Sequence, residues 1–201
     1  MNLEIEQRIK TMLQSSQRQI LGIVGAPGSG KSTLTEQIAQ KFGAAVAVLP
    51  MDGFHLANVE LARLGRAARK GAPDTFDVAG YVALLERVRQ ASSTVYAPRF
   101  EREIEEAIAS SIAILPETQL IITEGNYLLL DDGGWQGVRP LLDECWYVAV
   151  DDDLRRERLL ARHVQFGRTV EDARAWIENT DEPNARRIAA TQARADWVIS
   201  Q

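Results

Sequence analysis

Gly25-Ala26-Pro27-Gly28-Ser29-Gly30-Lys31-Ser32 is the stretch on which the reading of this chain rests. Its spacing, Gly-x-x-x-x-Gly-Lys-Ser, is that of a Walker A loop. The flanks supply the context such a loop needs: an apolar run, Gln19 to Val24, reads as a buried strand, and Thr33 to Phe42 reads as the helix after it. Glycines lack a Cβ, so the backbone of such a turn can approach a phosphate closely. Successive N–H groups then line one anion-binding concavity, and the positive end of the helix dipole points into it. On this reading Gly25, Ala26, Pro27, Gly28, Ser29, Gly30, Lys31, Ser32 and Thr33 bind a nucleoside triphosphate, ATP. Lys31 reaches the β- and γ-phosphates, and the Ser32 hydroxyl sits on Mg²⁺. Thr33 contacts a phosphate or serves as an ordinary first-turn residue.

On either side of this loop, strands and helices alternate. Strands are expected at Ile20–Val24, Ala45–Leu49, Gln119–Thr123, Cys145–Val150 and Trp197–Ser200. A helix over Leu3–Ser16 carries Ile5, Ile9, Met12 and Leu13 at helical spacing, and a later helix carries Tyr81, Leu85 and Val88 on one face. Alternation of this kind predicts an α/β fold with a parallel sheet, whose strand carboxyl ends share one edge where ligands bind. That edge collects the glycine-rich loop, Asp52, Glu124 and the Asp151 cluster. Residues 95–115 are expected as a separate hairpin. The Arg-rich helix Leu154–Val164, the break at Gly167 and the helix Val170–Asn179 suit a lid over about 154–180 that excludes water.

The 201 residues fit one domain, 1–201, with a net charge of −5. That balance argues against nucleic acid or an acidic membrane as partner, and no apolar run is long enough for a membrane span. A lone cysteine, Cys145, allows no internal disulfide and reads as core filler; a cytoplasmic location is expected. His55 and His163 lack the spacing of zinc ligands. The oligomeric state is not legible, and a homodimer is compatible with the sequence.

Phosphoryl transfer needs an oriented acceptor hydroxyl, a group to take its proton, and cations on the transferred phosphoryl group. Asp52, placed after an apolar strand and before Gly53, is the candidate base. Glu124, ending Leu120-Ile121-Ile122-Thr123, is the candidate metal carboxylate beside Ser32. Trp146 to Asp151 offers a rival Walker B pattern, but Asp151 to Asp153 are better explained as the cap and first turn of the Arg-rich helix. On that helix Arg158 and Arg162 lie four apart and are the candidate catalytic arginines, alongside Lys31. His55 is a candidate substrate contact. The basic run Arg63, Arg66, Arg69 and Lys70 is either an anion site or a solvated loop.

Four stretches taken together resemble one family: Gly25 to Ser32, Met51-Asp52-Gly53-Phe54-His55, Tyr96-Ala97-Pro98-Arg99-Phe100-Glu101-Arg102, and Glu124-Gly125-Asn126-Tyr127-Leu128-Leu129. In order and over nearly the whole chain they are similar to the uridine kinase, phosphoribulokinase and bacterial pantothenate kinase group, above all to members labelled fructose-transport-system kinases. The resemblance implies the P-loop containing nucleoside triphosphate hydrolase fold, with a five-stranded parallel sheet in the order 2-3-1-4-5, helices on both faces and an Arg-bearing lid. It implies ATP and Mg²⁺ as cofactors, Asp52 as acceptor base, and Tyr96, Arg99 and Arg102 as acceptor contacts. The expected activity is ATP-dependent phosphorylation of a small molecule, a sugar such as fructose. Uridine-like and pantothenate-like acceptors remain as alternatives. A P-loop ATPase or switch is the competing class, although the Asn-Lys-x-Asp sequence of GTPases is not found. The hairpin departs from the Tyr-Asp-Phe pattern of uridine kinases, which weighs against a nucleoside.

Overall fold

The structure is a computed structural model and describes residues 2–200. Helix α1 (Leu3–Leu13) starts at Asn2, whose side chain accepts from the Ile5 N–H. It buries Ile5, Ile9 and Met12 and stops three residues short of the expected Ser16. There the Ser15 hydroxyl accepts from the Gln17 backbone, a local bond that competes with continuing the helix. The chain continues through β1 (Gln19–Val24), α2 (Lys31–Phe42), β2 (Val46–Pro50), a short α3 (Asn58–Arg63) and α4 (Val78–Gln90). Next come β3 (Val95–Glu101), β4 (Glu106–Ile114), β5 (Leu120–Gly125) and β6 (Glu144–Ala149). The last elements are α5 (Asp152–Gln165), α6 (Val170–Trp176), a π-helical turn (Ile177–Asp181), α7 (Glu182–Ala189) and β7 (Trp197–Ser200).

Five strands form one parallel sheet in the order β2-β5-β1-β6-β7. With the hairpin strands β3 and β4 set aside, this is the expected 2-3-1-4-5. Side chains alternate across the sheet, so β1 feeds two cores. Ile20 and Val24 pack with Leu49, Ile121 and Tyr147 against Tyr81, Leu85 and Val88 of α4. Leu21 and Ile23 pack with Ile122, Trp146 and Val148 against Ile9 of α1 and Leu34 and Ile38 of α2. Helices therefore cover both faces. Cys145 lies in the first of these clusters, and burial pushes its thiol up to about 12, which leaves it inert. Among the described residues no helix is long and apolar enough to cross a membrane.

The register fixes what meets at the carboxyl edge. Val24 lies beside Gly125 and Tyr147, and Pro50 lies beside Glu124. The loop after β1, the turn after β2 and the end of β5 thus emerge side by side. β3 and β4 pair antiparallel as a separate two-stranded sheet, with a register break between Ala97 and Arg99. Pro98 sits in that break; it has no N–H for a ladder. Its carbonyl would come within 2.4 Å of a Cβ placed on Gly53. Only glycine at 53 permits this approach, which seats the hairpin directly on the turn that carries Asp52.

Candidate active site

Gly28 and Gly30 take φ of +82° and +90°, the left-handed geometry that bends the chain from β1 into α2. Gly30 caps α2 without a side-chain hydrogen bond, so the first N–H groups of the helix face the loop uncovered. Lys31 is buried and donates from Nζ to the Gly25 carbonyl at 2.9 Å and the Ala26 carbonyl at 3.1 Å. Burial lowers its pKa to about 8, while Glu124 and Asp52 act in the opposite direction. The Ser32 hydroxyl donates to Glu124 Oε1 at 2.9 Å. Burial raises the Glu124 carboxyl above its ordinary range; Lys31 lowers it, and Asp52 raises it further. A hydroxyl on a carboxylate whose charge is disfavoured by burial is a donor pair that a divalent cation would stabilise, and Ser32 and Glu124 therefore fit Mg²⁺.

A cavity of about 560 Å³ opens from this loop. Pro27, Lys31, Ser32 and Glu124 form its phosphate end. Asp52, His55, Lys70, Phe76, Phe100 and Arg102 line the same cavity. Asp52 is half-buried, and Arg102 donates to its Oδ2 at 3.2 Å. The His55 ring lies between Phe76 and Phe100, with centroids 4.0 and 4.5 Å away. Its Nδ1 is 2.7 Å from the Asp52 backbone oxygen. A carbonyl only accepts, so Nδ1 carries the hydrogen. Burial lowers the His55 pKa, favouring the neutral ring, and Nε2 is then left as an acceptor. Along a third side lie Arg162 and His163 of α5, Arg168, Trp176 of α6, Asp181 and Asn184. His163 Nε2 is 2.8 Å from Asp181 Oδ2, and the Arg168 guanidinium stacks 4.0 Å over the Trp176 ring.

The structure brings Lys31, Ser32, Glu124, Asp52, His55, Arg102 and Arg162 to one cavity. Of the loop residues Pro27, Lys31 and Ser32 line it, while the expected site residues Thr33, Arg158, Tyr96 and Arg99 do not. Thr33 is exposed on α2 and does not line the cavity. Arg158 is exposed on α5, because the inward stripe runs through Arg155, Leu159 and Arg162 and Arg158 falls one position off it. Tyr96 is 55% exposed, and Arg99 is exposed as well. The break at Pro98 explains the hairpin result. Before it the inward residues are Val95 and Ala97; after it they are Pro98 and Phe100. A strand proline marks such an interruption in the sequence, and reading it would have exchanged Tyr96 and Arg99 for Phe100. Asp151 caps α5, accepting from the Asp153 and Leu154 N–H groups, as the helix-cap reading expected. In the basic run Arg63 pairs with Glu60, and Arg66 and Arg69 pair with Asp74; only Lys70 reaches the cavity. The Arg168–Trp176 stack had no sequence signal, since it depends on how the chain turns at Gly167.

A glycine-rich loop feeding a helix N-terminus, with a carboxylate in the same cavity, defines a P-loop kinase. The family model described as Phosphoribulokinase / Uridine kinase family matches residues 20–201, and the chain belongs to that family. It is 34% identical to a protein of Schizosaccharomyces pombe provisionally named a uridine kinase, over 98% of this chain and 89% of that one. It is 40% identical to an ATP-dependent kinase-like protein of Aspergillus versicolor, over 74% of this chain and 92% of the other. A crystal structure from Silicibacter sp. TM1040, provisionally titled a fructose transport system kinase, superposes with a TM-score of 0.89 at 36% identity, covering 99% of both chains. Kinases of this family use ATP with Mg²⁺ and act on small molecules.

Proposed function

We propose that this protein transfers the γ-phosphoryl group of ATP to a hydroxyl of a small sugar-like acceptor. The observation that carries the reading is the single cavity shared by the Lys31–Ser32–Glu124 cluster and by Asp52, with an aromatic wall on the acceptor side. Asp52 orients the acceptor hydroxyl and takes its proton. The hydroxyl oxygen forms the new bond to the γ-phosphorus as the bond to the β–γ bridging oxygen breaks, and ADP leaves. Lys31 and the uncovered N–H groups of α2 hold the phosphates, and Arg162 meets the charge on the transferred group. Ser32 and Glu124 would hold Mg²⁺, which would neutralise phosphate charge. His55, neutral and fixed through Nδ1, accepts a hydrogen bond from an acceptor hydroxyl at Nε2. Arg102 keeps Asp52 in place until acceptor arrives. The segment from α5 to the π turn closes the cavity against water.

A sugar is favoured by the aromatic cluster of His55, Phe76 and Phe100, which puts apolar rings beside polar groups in the cavity, and by the name of the Silicibacter relative. The test is ADP release by the purified protein with ATP and Mg²⁺, with hexoses, pentoses, uridine and pantothenate supplied in turn. Stimulation by one acceptor is expected. Asp52→Asn should then lower turnover by about 10²–10⁴-fold, the usual worth of a positioned base, with ATP affinity retained. ADP release that ignores every acceptor, or full turnover in Asp52→Asn, would overturn the reading.

A further inference from the structure

Among the described residues two buried side-chain polar atoms have no hydrogen-bond partner, Ser29 Oγ and Arg155 Nη1. Both belong to one place. Ser29 is part of the glycine-rich loop. Arg155, in the first turn of α5, is 2% exposed and lies against the same loop. A Cβ placed on Gly28 would meet the Arg155 carbonyl at 2.8 Å, the Leu159 side chain at 3.0 Å and the Arg155 stem at 3.2 Å. Phosphoryl transfer as derived from the cavity makes no use of this arginine.

A guanidinium stays charged even when buried, so Arg155 needs partners. It has two, on two elements. Nε donates to Asp152 Oδ1 at 3.1 Å within α5, and Nη2 donates to Glu182 Oε1 on α7. Asp152 stands largely in water, whereas the Glu182 side chain is 16% exposed and also accepts from Arg156 at 3.1 Å. Glu182 opens α7 directly after the π-helical turn, and its neighbour Asp181 bonds His163 in the cavity wall. Arg155 thus joins Gly28 of the phosphate loop to the wall made by the π turn and α7. Arg162 lies seven positions on, about two turns along the same stripe of α5, so the seat of Arg155 on the loop also sets the place of Arg162.

We propose that Arg155 is a positioning residue that couples the glycine-rich loop to Arg162 and, through Glu182, to the π turn and α7. Phosphate draws the N–H groups of the loop onto the anion. Gly28 then shifts against α5, Arg155 moves with it, and Glu182 carries α7 toward the cavity. The π turn next to Glu182 is the irregular point at which the helix gives. An unpaired buried donor costs free energy, so a shift that supplies Nη1 with an acceptor is favoured. Arg155 itself touches neither substrate. The inference rests on nucleotide binding at the loop and is independent of the identity of the acceptor.

The test is hydrogen exchange read by mass spectrometry, with Mg²⁺ and the β,γ-imido analogue of ATP as the probe. In the wild type the analogue should slow exchange over 25–32 and, by at least about fivefold, over 176–189, the low end of coupling between sites. Arg155→Met/Glu182→Met replaces the buried pair by apolar side chains, an exchange that folded proteins commonly tolerate. Its melting temperature is measured alongside. The double variant should keep the protection over 25–32 and lose that over 176–189. Glu182→Gln, which leaves the Arg155 stem on Gly28, should show the same loss to a lesser degree. A merely structural role would lower the melting temperatures and leave the response of 176–189 to the analogue as in the wild type. That result overturns the inference, as does a wild-type segment 176–189 indifferent to the analogue, or loss of protection over 25–32 in the variants. No protection over 25–32 in the wild type overturns nucleotide binding at the loop and this inference with it. The acceptor panel tests the kinase reading separately.

Discussion

Burial holds the Lys31 ammonium down to about pKa 8, against an ordinary value of 10.5, and this has opposite consequences for folding and for phosphate binding. Between about pH 8 and 10.5 the unfolded chain keeps the proton and the folded chain does not. Stability of the ligand-free protein should therefore rise with pH across that window; below about 8 both states are protonated and the cost of the buried charge is constant. Phosphate binding needs the charged form. The Kd for ATP with Mg²⁺ should weaken as pH passes upward through about 8, approaching about tenfold per unit. Calorimetric titration and thermal melts of the wild type and Lys31→Met over pH 6.5 to 10 check both signs. The variant should lose the Lys31 component of each slope. Parallel slopes in the two proteins would refute the assignment. The placement of Lys31 and Ser32 at the start of α2 and in the cavity was legible from eight consecutive residues, because the motif fixes spacing and geometry together. The fate of the basic run was not, because Arg63, Arg66 and Arg69 meet Glu60 and Asp74 only once the chain is folded.

Among the elements, the hairpin depends on one glycine. A Cβ on Gly53 would meet the Pro98 carbonyl at 2.4 Å, and backbone cannot give way as a flexible side chain can. Gly53→Ala should push β3 off the turn and carry Phe100 and Arg102 away from Asp52. The expected cost is about 1–3 kcal/mol of stability, seen as a lower melting temperature. Acceptor KM should rise several-fold while ATP KM holds, since α2 and its loop are untouched. Equal damage to both KM values would show that the hairpin is not a separate acceptor arm. The strands of the sheet were readable because five apolar runs sit between helical patterns. The facing of β3 was not, because alternation holds only while the ladder is regular, and Pro98 interrupts it between Tyr96 and Phe100.

Across the entire chain, the parallel sheet came from the pattern of alternation and its strand order from the family resemblance, and the sheet edge gathered Asp52 and Glu124 as parallel topology requires. The third wall of the cavity was the least readable part. The sequence suggested a helix over Val170–Asn179, and the chain instead leaves α6 at Trp176, makes the π-helical turn Ile177–Asp181 and continues as α7. Such a turn arises when a helix carries one residue more than its hydrogen bonding accommodates. Around it, Asp181 bonds His163 on α5, Glu182 bonds Arg155 and Arg156, Arg187 bonds Asp132 at 2.6 Å, and Ile188 is fully buried in the core. Buried Ala173 and the Trp176 ring under Arg168 precede the extra residue and these anchors follow it, so chain length here is fixed to the unit. Deleting Asn179 would rotate α7 by about 100° and draw it back by about 1.5 Å relative to α6. Either Asp181 or Ile188 must then lose its place. A protein lacking that exposed residue should melt lower and turn over more slowly than one carrying Asn179→Ala, which keeps the count. Descendants of this chain should accordingly accept substitutions in the segment far more readily than insertions or deletions.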